Sequence, residues 1–277
     1  MPAAATLRLD RPEVSPQSVD VTRLLQPRPW TVCTEPFSHV RAENVFDTHT
    51  YRELQTAFEA IVSGRGLPSW PEARFSRNIA GYDAFSVAFD TRVGWPFNLF
   101  VSRSWHDLFA RLFAIDAVGC MSGGLHHHAI GSRDGSIHND LSPGWFVADT
   151  GAEEEIIITR GSVCDYCSGS TPRDAGVTVR ETIRGVAIIY YLSNLPWVPG
   201  DRGETGLYRS AQDPIAHPVV AVPPTSNSLV AFECTPQSFH TFCGNNRYAR
   251  NSVIVWLHRE KSTVVERWGS SAIVPWS

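Results

Sequence analysis

Apolar side chains at Tyr51, Leu54, Phe58 and Ile61 recur at helical spacing, which predicts an amphipathic helix with one face on a core. Thr50 followed by Glu53 reads as a capping box, and Gly64 as the stop. A second stripe, Leu108, Phe109, Leu112 and Phe113, predicts a helix from about Trp105. Beyond Gly123 the period shortens. Runs rich in β-branched and aromatic residues, at 136–138, 185–192, 205–208, 219–222, 228–233 and 252–258, alternate with Gly- and Pro-containing turns. Many short strands of this kind predict a sandwich, barrel or jelly roll. The polar stretch 149–184 interrupts them. It holds one candidate strand at 155–159 and otherwise reads as a loop insertion, of a length that is usually functional or disordered.

The pattern divides one domain, 1–277, into a Pro-rich arm (1–35), a helical support (36–125) and a β core (126–260) that carries the insertion. The class is α+β, mainly β. Net charge is only −4, from 24 basic and 28 acidic residues, so no nucleic-acid partner is expected. Lys261 is the sole lysine, which argues against Schiff-base chemistry. No apolar run approaches the roughly 18 residues of a membrane helix. The first twenty residues carry Arg8, Asp10, Arg11 and Glu13 rather than a signal-peptide core. Six cysteines in this length make no disulfide scaffold, and a reducing cytoplasm is the expected location. Oligomeric state is not legible.

Three constellations carry chemistry. In His138-Asn139-Asp140, residues i and i+2 of an extended strand share a face. An imidazole and a carboxylate so presented lack one ligand of a two-histidine, one-carboxylate iron site. The alternative is a surface turn with Asp140 capping Ser142-Pro143-Gly144. Phe239-His240 is followed by Arg250-Asn251-Ser252, where Arg250 and Ser252 form a fork and hydroxyl suited to a carboxylate. A buried arginine in the apolar run 253–256 needs an anion beside it. A structural ion pair with Asp or Glu would also serve. The third is the strand from Arg184 to Leu192, whose paired tyrosines place Tyr190 on one face and Tyr191 on the other. A core strand is the simpler reading of it.

Taken together, these pieces resemble the 2-oxoglutarate- and Fe(II)-dependent oxygenases, specifically the prolyl 4-hydroxylase-like branch. Six segments match in order between about residues 36 and 260: Pro36 to Val40 with Asn44-Val45-Phe46, His138-Asn139-Asp140, Arg184 to Leu192, Gly203 to Tyr208, Asn227 to Phe232, and His240 with Arg250. The resemblance implies a double-stranded β-helix, a cupin-like jelly roll with supporting N-terminal helices. It implies His138, Asp140 and His240 as iron ligands. It also implies Arg250 as the clamp for the distal carboxylate of 2-oxoglutarate, with Tyr191 and Ser252 assisting. His128 stands ten residues before His138, where relatives place a cosubstrate-lining tyrosine. Arg247 is the rival to Arg250, which is preferred because the apolar strand follows it. Fe(II), 2-oxoglutarate and O2 are the implied cofactors, with ascorbate as a candidate reductant. Retention of Asp140 favours hydroxylation or another C–H oxidation over halogenation, which needs that coordination position for halide.

The expected activity is hydroxylation of a small amino-acid-like or specialised metabolite. A peptidyl or carrier-tethered hydroxylase, with 149–184 facing the partner, is the alternative. A cupin-like binding or isomerase protein without oxygen chemistry is the rival of a different class. His126-His127-His128 cannot all face one ion, although His126 and His128 share a face near the site. Cys164 and Cys167 read as loop thiols, Glu153-Glu154-Glu155 as a solvated run, and Arg160, Arg173 and Arg180 as surface charges. His217 and His258 read as packing or surface residues.

Overall fold

The computed structural model describes residues 19–77, 82–148, 156–173, 176–245 and 247–275. Glu153 to Glu155 and most of the arm lie outside them. Nine strands form one sheet in the order β1 (Thr31–Cys33), β2 (His39–Glu43), β10 (Ser228–Glu233), β7 (Val179–Tyr191), β12 (Arg250–Glu260), β4 (Ala117–His128) and β3 (Phe85–Ala88). Off this path, β5 (Pro143–Val147) pairs with β7, and β6 (Ile157–Ile158) pairs in parallel with β4. A smaller sheet runs β11 (His240–Phe242), β8 (Thr205–Leu207), β9 (Val220–Val222).

The long central strands β7 and β12 are buried over nearly their whole length, because each face of the large sheet meets its own apolar layer. On one face Ile188, Tyr190, Val253 and Val255 pack with Leu54, Phe58, Trp105 and Phe109, which come from α1 (Thr48–Val62) and α2 (Arg103–Leu112). On the other, Ile189, Tyr191, Val230 and Ile254 meet Leu207 and Val222 of the small sheet. Both tyrosines of β7 are therefore buried on opposite faces. The Tyr190 hydroxyl donates to Asn227 Oδ1 (3.0 Å) under the helices, and Tyr191 points between the sheets.

Several boundaries differ from the sequence pattern. α1 is capped by Asp47, whose carboxylate accepts from the His49 and Thr50 amides, rather than by a Thr50–Glu53 box. Asp47 wins because its side chain also takes the Thr50 hydroxyl (2.9 Å), consuming the group the box required. Segment 36–125 supplies strands as well as helices. The sequence of β4, AVGCMSGGLHHH, has few of the β-branched residues that signal a strand, and its pairing comes from β12 and β3 on either side. Gly124 is required there, since a Cβ would lie 2.4 Å from the Val87 carbonyl oxygen. The insertion also yields its last residues to β7, which begins at Val179, and no helix among the described residues is long and apolar enough to cross a membrane.

Candidate metal centre and anion pocket

The small sheet ends beside a non-strand segment that carries His138. A single antiparallel bridge joins His138 to His240, with reciprocal amide-to-carbonyl bonds of 3.1 and 2.8 Å. Asp140 is brought to the same side by a left-handed backbone, φ +60°, not by the alternation of a regular strand. Its carboxylate lies 3.6 Å from His138 Nε2 and 3.5 Å from His240 Nε2. The three ligand atoms fall within 4.8 Å of one another.

The tautomers suit a metal. His138 Nδ1 donates to the Ser136 carbonyl (2.8 Å) and His240 Nδ1 to the Ser238 carbonyl (3.0 Å). Each carbonyl fixes the proton on Nδ1 and leaves the Nε2 lone pair facing Asp140, the outer-shell arrangement of ligating histidines. Asp140 and His240 are buried, whereas the His138 side chain is 46% exposed and forms the open side of the group.

Asp140 is held from behind. Arg184 Nη1 donates to Oδ1 (2.5 Å) and Trp256 Nε1 to Oδ2 (2.7 Å), while the guanidinium lies 3.7 Å from the Trp256 ring centroid. Burial alone would raise the Asp140 pKa. The charge of Arg184 leads the effects that outweigh it and hold the carboxyl well below its usual range.

Behind Arg184 stands a polar chain that includes a residue of the insertion. The Tyr166 hydroxyl accepts from Arg184 Nε (3.1 Å) and Ser122 Oγ (2.9 Å) and lies 3.2 Å from His258 Nε2. His258 Nδ1 donates to Thr182 Oγ1, whose own proton goes to the Gly144 carbonyl. Tyr166 is fixed locally: Asp165 caps the turn through the Cys167 and Ser168 amides, and the Tyr166 carbonyl accepts from the Trp145 amide (3.0 Å). Gly144 makes room for the ring, since a Cβ there would lie 2.5 Å from Tyr166 Cε2. His258, expected to pack or face solvent, is fully buried. Neither it nor Tyr166 was picked out from the sequence, because no short-range periodicity links a loop tyrosine to strands far away in the chain. Cys164 and Cys167 are free thiols flanking this tyrosine.

A second polar group lies on the inward faces of β12, β7 and β8. Arg250 is 2% exposed. Its Nη1 reaches Ser252 Oγ (3.2 Å) and its Nη2 reaches Thr205 Oγ1 (3.1 Å), and the Tyr191 hydroxyl bonds the same Thr205 oxygen (2.6 Å). Its Nε has no partner, and no carboxylate forms an ion pair with it among the described residues. Arg247, the rival, instead pairs with Asp201 (3.0 Å), its side chain 60% exposed. His128 stands opposite Arg250 in register, stacked on Phe242 at 3.8 Å. Both its nitrogens are engaged, Nδ1 by the Asp83 carbonyl and Nε2 by the Tyr82 hydroxyl (3.1 Å each), which makes it a wall of the pocket. Thr205 and Tyr82 had no sequence signal of their own.

This architecture is similar in fold to a solved bacterial prolyl-4-hydroxylase. Superposition on a Pseudomonas putida prolyl-4-hydroxylase gives a TM-score of 0.50 over 87% of this chain and 96% of that one, at 13% identity. The chain is also similar to a Phytophthora capsici prolyl 4-hydroxylase, at TM-score 0.48 and 18% identity over 82% of this chain and 61% of that one. A Trichoplax adhaerens prolyl hydroxylase in complex with a hypoxia-inducible-factor peptide gives TM-score 0.47 and 14% identity, over 82% and 86%. No family model matches the sequence, and no curated protein does.

Proposed function

We propose that the chain is a 2-oxoglutarate- and Fe(II)-dependent oxygenase of the prolyl 4-hydroxylase-like branch, built on a double-stranded β-helix. One observation carries this reading. A buried guanidinium without a carboxylate partner, Arg250, shares the space between the sheets with a His-Asp-His group whose tautomers suit a metal. An unpaired buried arginine is strongly unfavourable, so an anionic ligand is the natural partner.

His138, Asp140 and His240 would hold Fe(II). Arg250 would take the distal carboxylate of 2-oxoglutarate, assisted by Ser252, Tyr191 and their shared partner Thr205, with His128 lining the pocket. Iron, 2-oxoglutarate and O2 together supply the oxidation of an unactivated C–H bond, with succinate and carbon dioxide as co-products. The protein orients the ligands, keeps Asp140 ionised and excludes water from the Arg250 end. The open side at His138 is where an acceptor would approach. Asp140 occupies the position a halide would need, which favours hydroxylation. The acceptor is read as a small amino-acid-like or specialised metabolite, ascorbate as an auxiliary reductant, and the free cysteines fit a cytoplasmic setting.

Anaerobic titration with Fe(II) and 2-oxoglutarate tests the class: a visible metal-to-ligand charge-transfer band is expected. Its absence would overturn the oxygenase reading in favour of a binding or isomerase protein. His240→Ala should abolish succinate formation, whereas Arg250→Ala should chiefly raise the 2-oxoglutarate requirement. A screen of amino-acid-like metabolites against proline-containing peptides, read as succinate release, decides the acceptor class.

A further inference from the structure

The inward face of β4 presents Ser122, Gly124, His126 and His128 opposite Trp256, Ile254, Ser252 and Arg250 of β12. Three of the four β4 residues are accounted for. Ser122 belongs to the Tyr166 chain, Gly124 allows the approach of β3, and His128 is bonded at both nitrogens. His126 is not. It is 6% exposed, and its Nδ1 is sealed from solvent with no hydrogen-bond partner. The Tyr82 ring lies 6.3 Å away centroid to centroid. A buried imidazole nitrogen left unpartnered is costly, and a second such group, Arg250 Nε, lies in the same pocket.

The surroundings of His126 define the ligand. Burial first, then the charges of Arg250 and Arg184, depress its pKa to about 3, so the ring is neutral and offers one N–H. Arg184 is offset by Asp140, so Arg250 is the uncompensated charge near His126, and its field attracts an anion. Location separates cosubstrate from acceptor. His126 pairs in register with Ser252, which is itself bonded to Arg250, both of them nearly sealed from solvent, while the solvent-open side of the metal group is at His138.

We propose that His126 is a cosubstrate-binding residue, donating a hydrogen bond to the dicarboxylic 2-oxo acid that Arg250 clamps. The inference rests on the preceding functional reading and adds to it a ligand from β4. With both nitrogens of His128 engaged within the protein, the imidazole two residues earlier takes over the role of a polar contact from this strand.

The test is 2-oxoglutarate binding, measured anaerobically by the charge-transfer band with Fe(II) and independently by thermal shift of the Mn(II)-loaded protein. His126→Phe keeps a planar ring and removes the donor; His126→Gln keeps a donor. The expected result is a dissociation constant raised about ten- to a hundredfold in His126→Phe, the range for a hydrogen bond to a charged group. His126→Gln should recover most of that loss, and Mn(II) affinity should stay within about twofold in both, since His126 is not a ligand of the metal group. Unchanged 2-oxoglutarate affinity in a folded His126→Phe protein, or a loss in His126→Gln as large as the one expected of His126→Phe, with wild type binding normally, overturns the assignment of His126 alone. A wild-type protein that binds Mn(II) but not 2-oxoglutarate overturns the parent reading and this inference together.

Discussion

Arg184 Nη1 and Asp140 Oδ1 lie 2.5 Å apart with both side chains less than a tenth exposed. The guanidinium does three things at once: it neutralises the carboxylate, lies against Trp256, and reaches Tyr166 through Nε. A lysine supplies the charge but neither the flat face nor the second donor. Arg184→Lys should therefore weaken metal binding by about ten- to a hundredfold, the usual effect of losing an outer-shell partner. Arg184→Gln should in addition lower stability by about 3–5 kcal/mol, because it leaves Asp140 buried without its counter-charge. Co(II) titration and urea unfolding read the two effects separately. Equal metal affinity in Arg184→Lys would show that charge alone matters at this position.

The insertion contributes to the site through one hydroxyl. Tyr166→Phe keeps the ring and deletes the group that accepts from Arg184 and Ser122. Arg184 Nε loses this acceptor, at a cost of about 1–3 kcal/mol if left unsatisfied, whereas Ser122 Oγ keeps an acceptor in His258 Nε2 (3.0 Å). The expected outcome is a stability loss in that range, with metal affinity reduced several-fold as Arg184 loses its second anchor. If Tyr166→Phe leaves metal affinity unchanged, the insertion is uncoupled from the metal group.

The sequence made His138, Asp140, His240 and Arg250 legible because each is a strong chemical type at a spacing that limits its partners. The reason given for the first pair was nevertheless incomplete. Residues 136–140 form no regular strand, and it is the positive φ of Asp140 and one bridge to His240 that gather the group. Strand positions rich in Val, Ile and Tyr were visible for β7, β10 and β12. β4 was not, since three glycines and three histidines carry no strand signal and its placement follows from its neighbours. Thr205, Tyr166 and His258 were out of reach for a related reason. Their roles exist only through hydrogen bonds to residues distant in the chain, and no local pattern encodes those.

Thr205 links the two groups of the anion pocket, accepting from Arg250 Nη2 and sharing a 2.6 Å bond with the Tyr191 hydroxyl. Thr205→Val is nearly isosteric and removes both bonds. Each is worth about 0.5–1.5 kcal/mol net, so a rise of about three- to thirtyfold in the 2-oxoglutarate requirement is expected. The maximal rate should change little, because Thr205 touches none of the three metal-group residues. A fall in maximal rate at saturating 2-oxoglutarate would place Thr205 nearer the reacting atoms than the pocket geometry does.

Acid should destabilise this protein through histidines that are neutral when folded. Burial is the main cause in each case: it holds His258 well below its ordinary value, and with help from Arg250 it depresses His126 to about 3 and His128 to about 2. In the unfolded chain each titrates near 6.5. Above about pH 6.5 both states are neutral and stability is at its full value. As pH falls below that point the unfolded chain takes up protons that the folded protein refuses. Each histidine then removes about 1.4 kcal/mol per pH unit, down to its folded pKa. Asp140, also depressed, acts only below the carboxylate range and so leaves the window from pH 6 to 5 to the imidazoles. Metal-free protein unfolded in urea should show a nearly flat midpoint from pH 8 to 7 and a steep fall from 6 to 5. His258→Gln lowers overall stability by breaking the contacts to Thr182 and Ser122, but it should make that fall shallower by one proton. An unchanged slope in the variant would mean that the folded protein already admits a proton at His258.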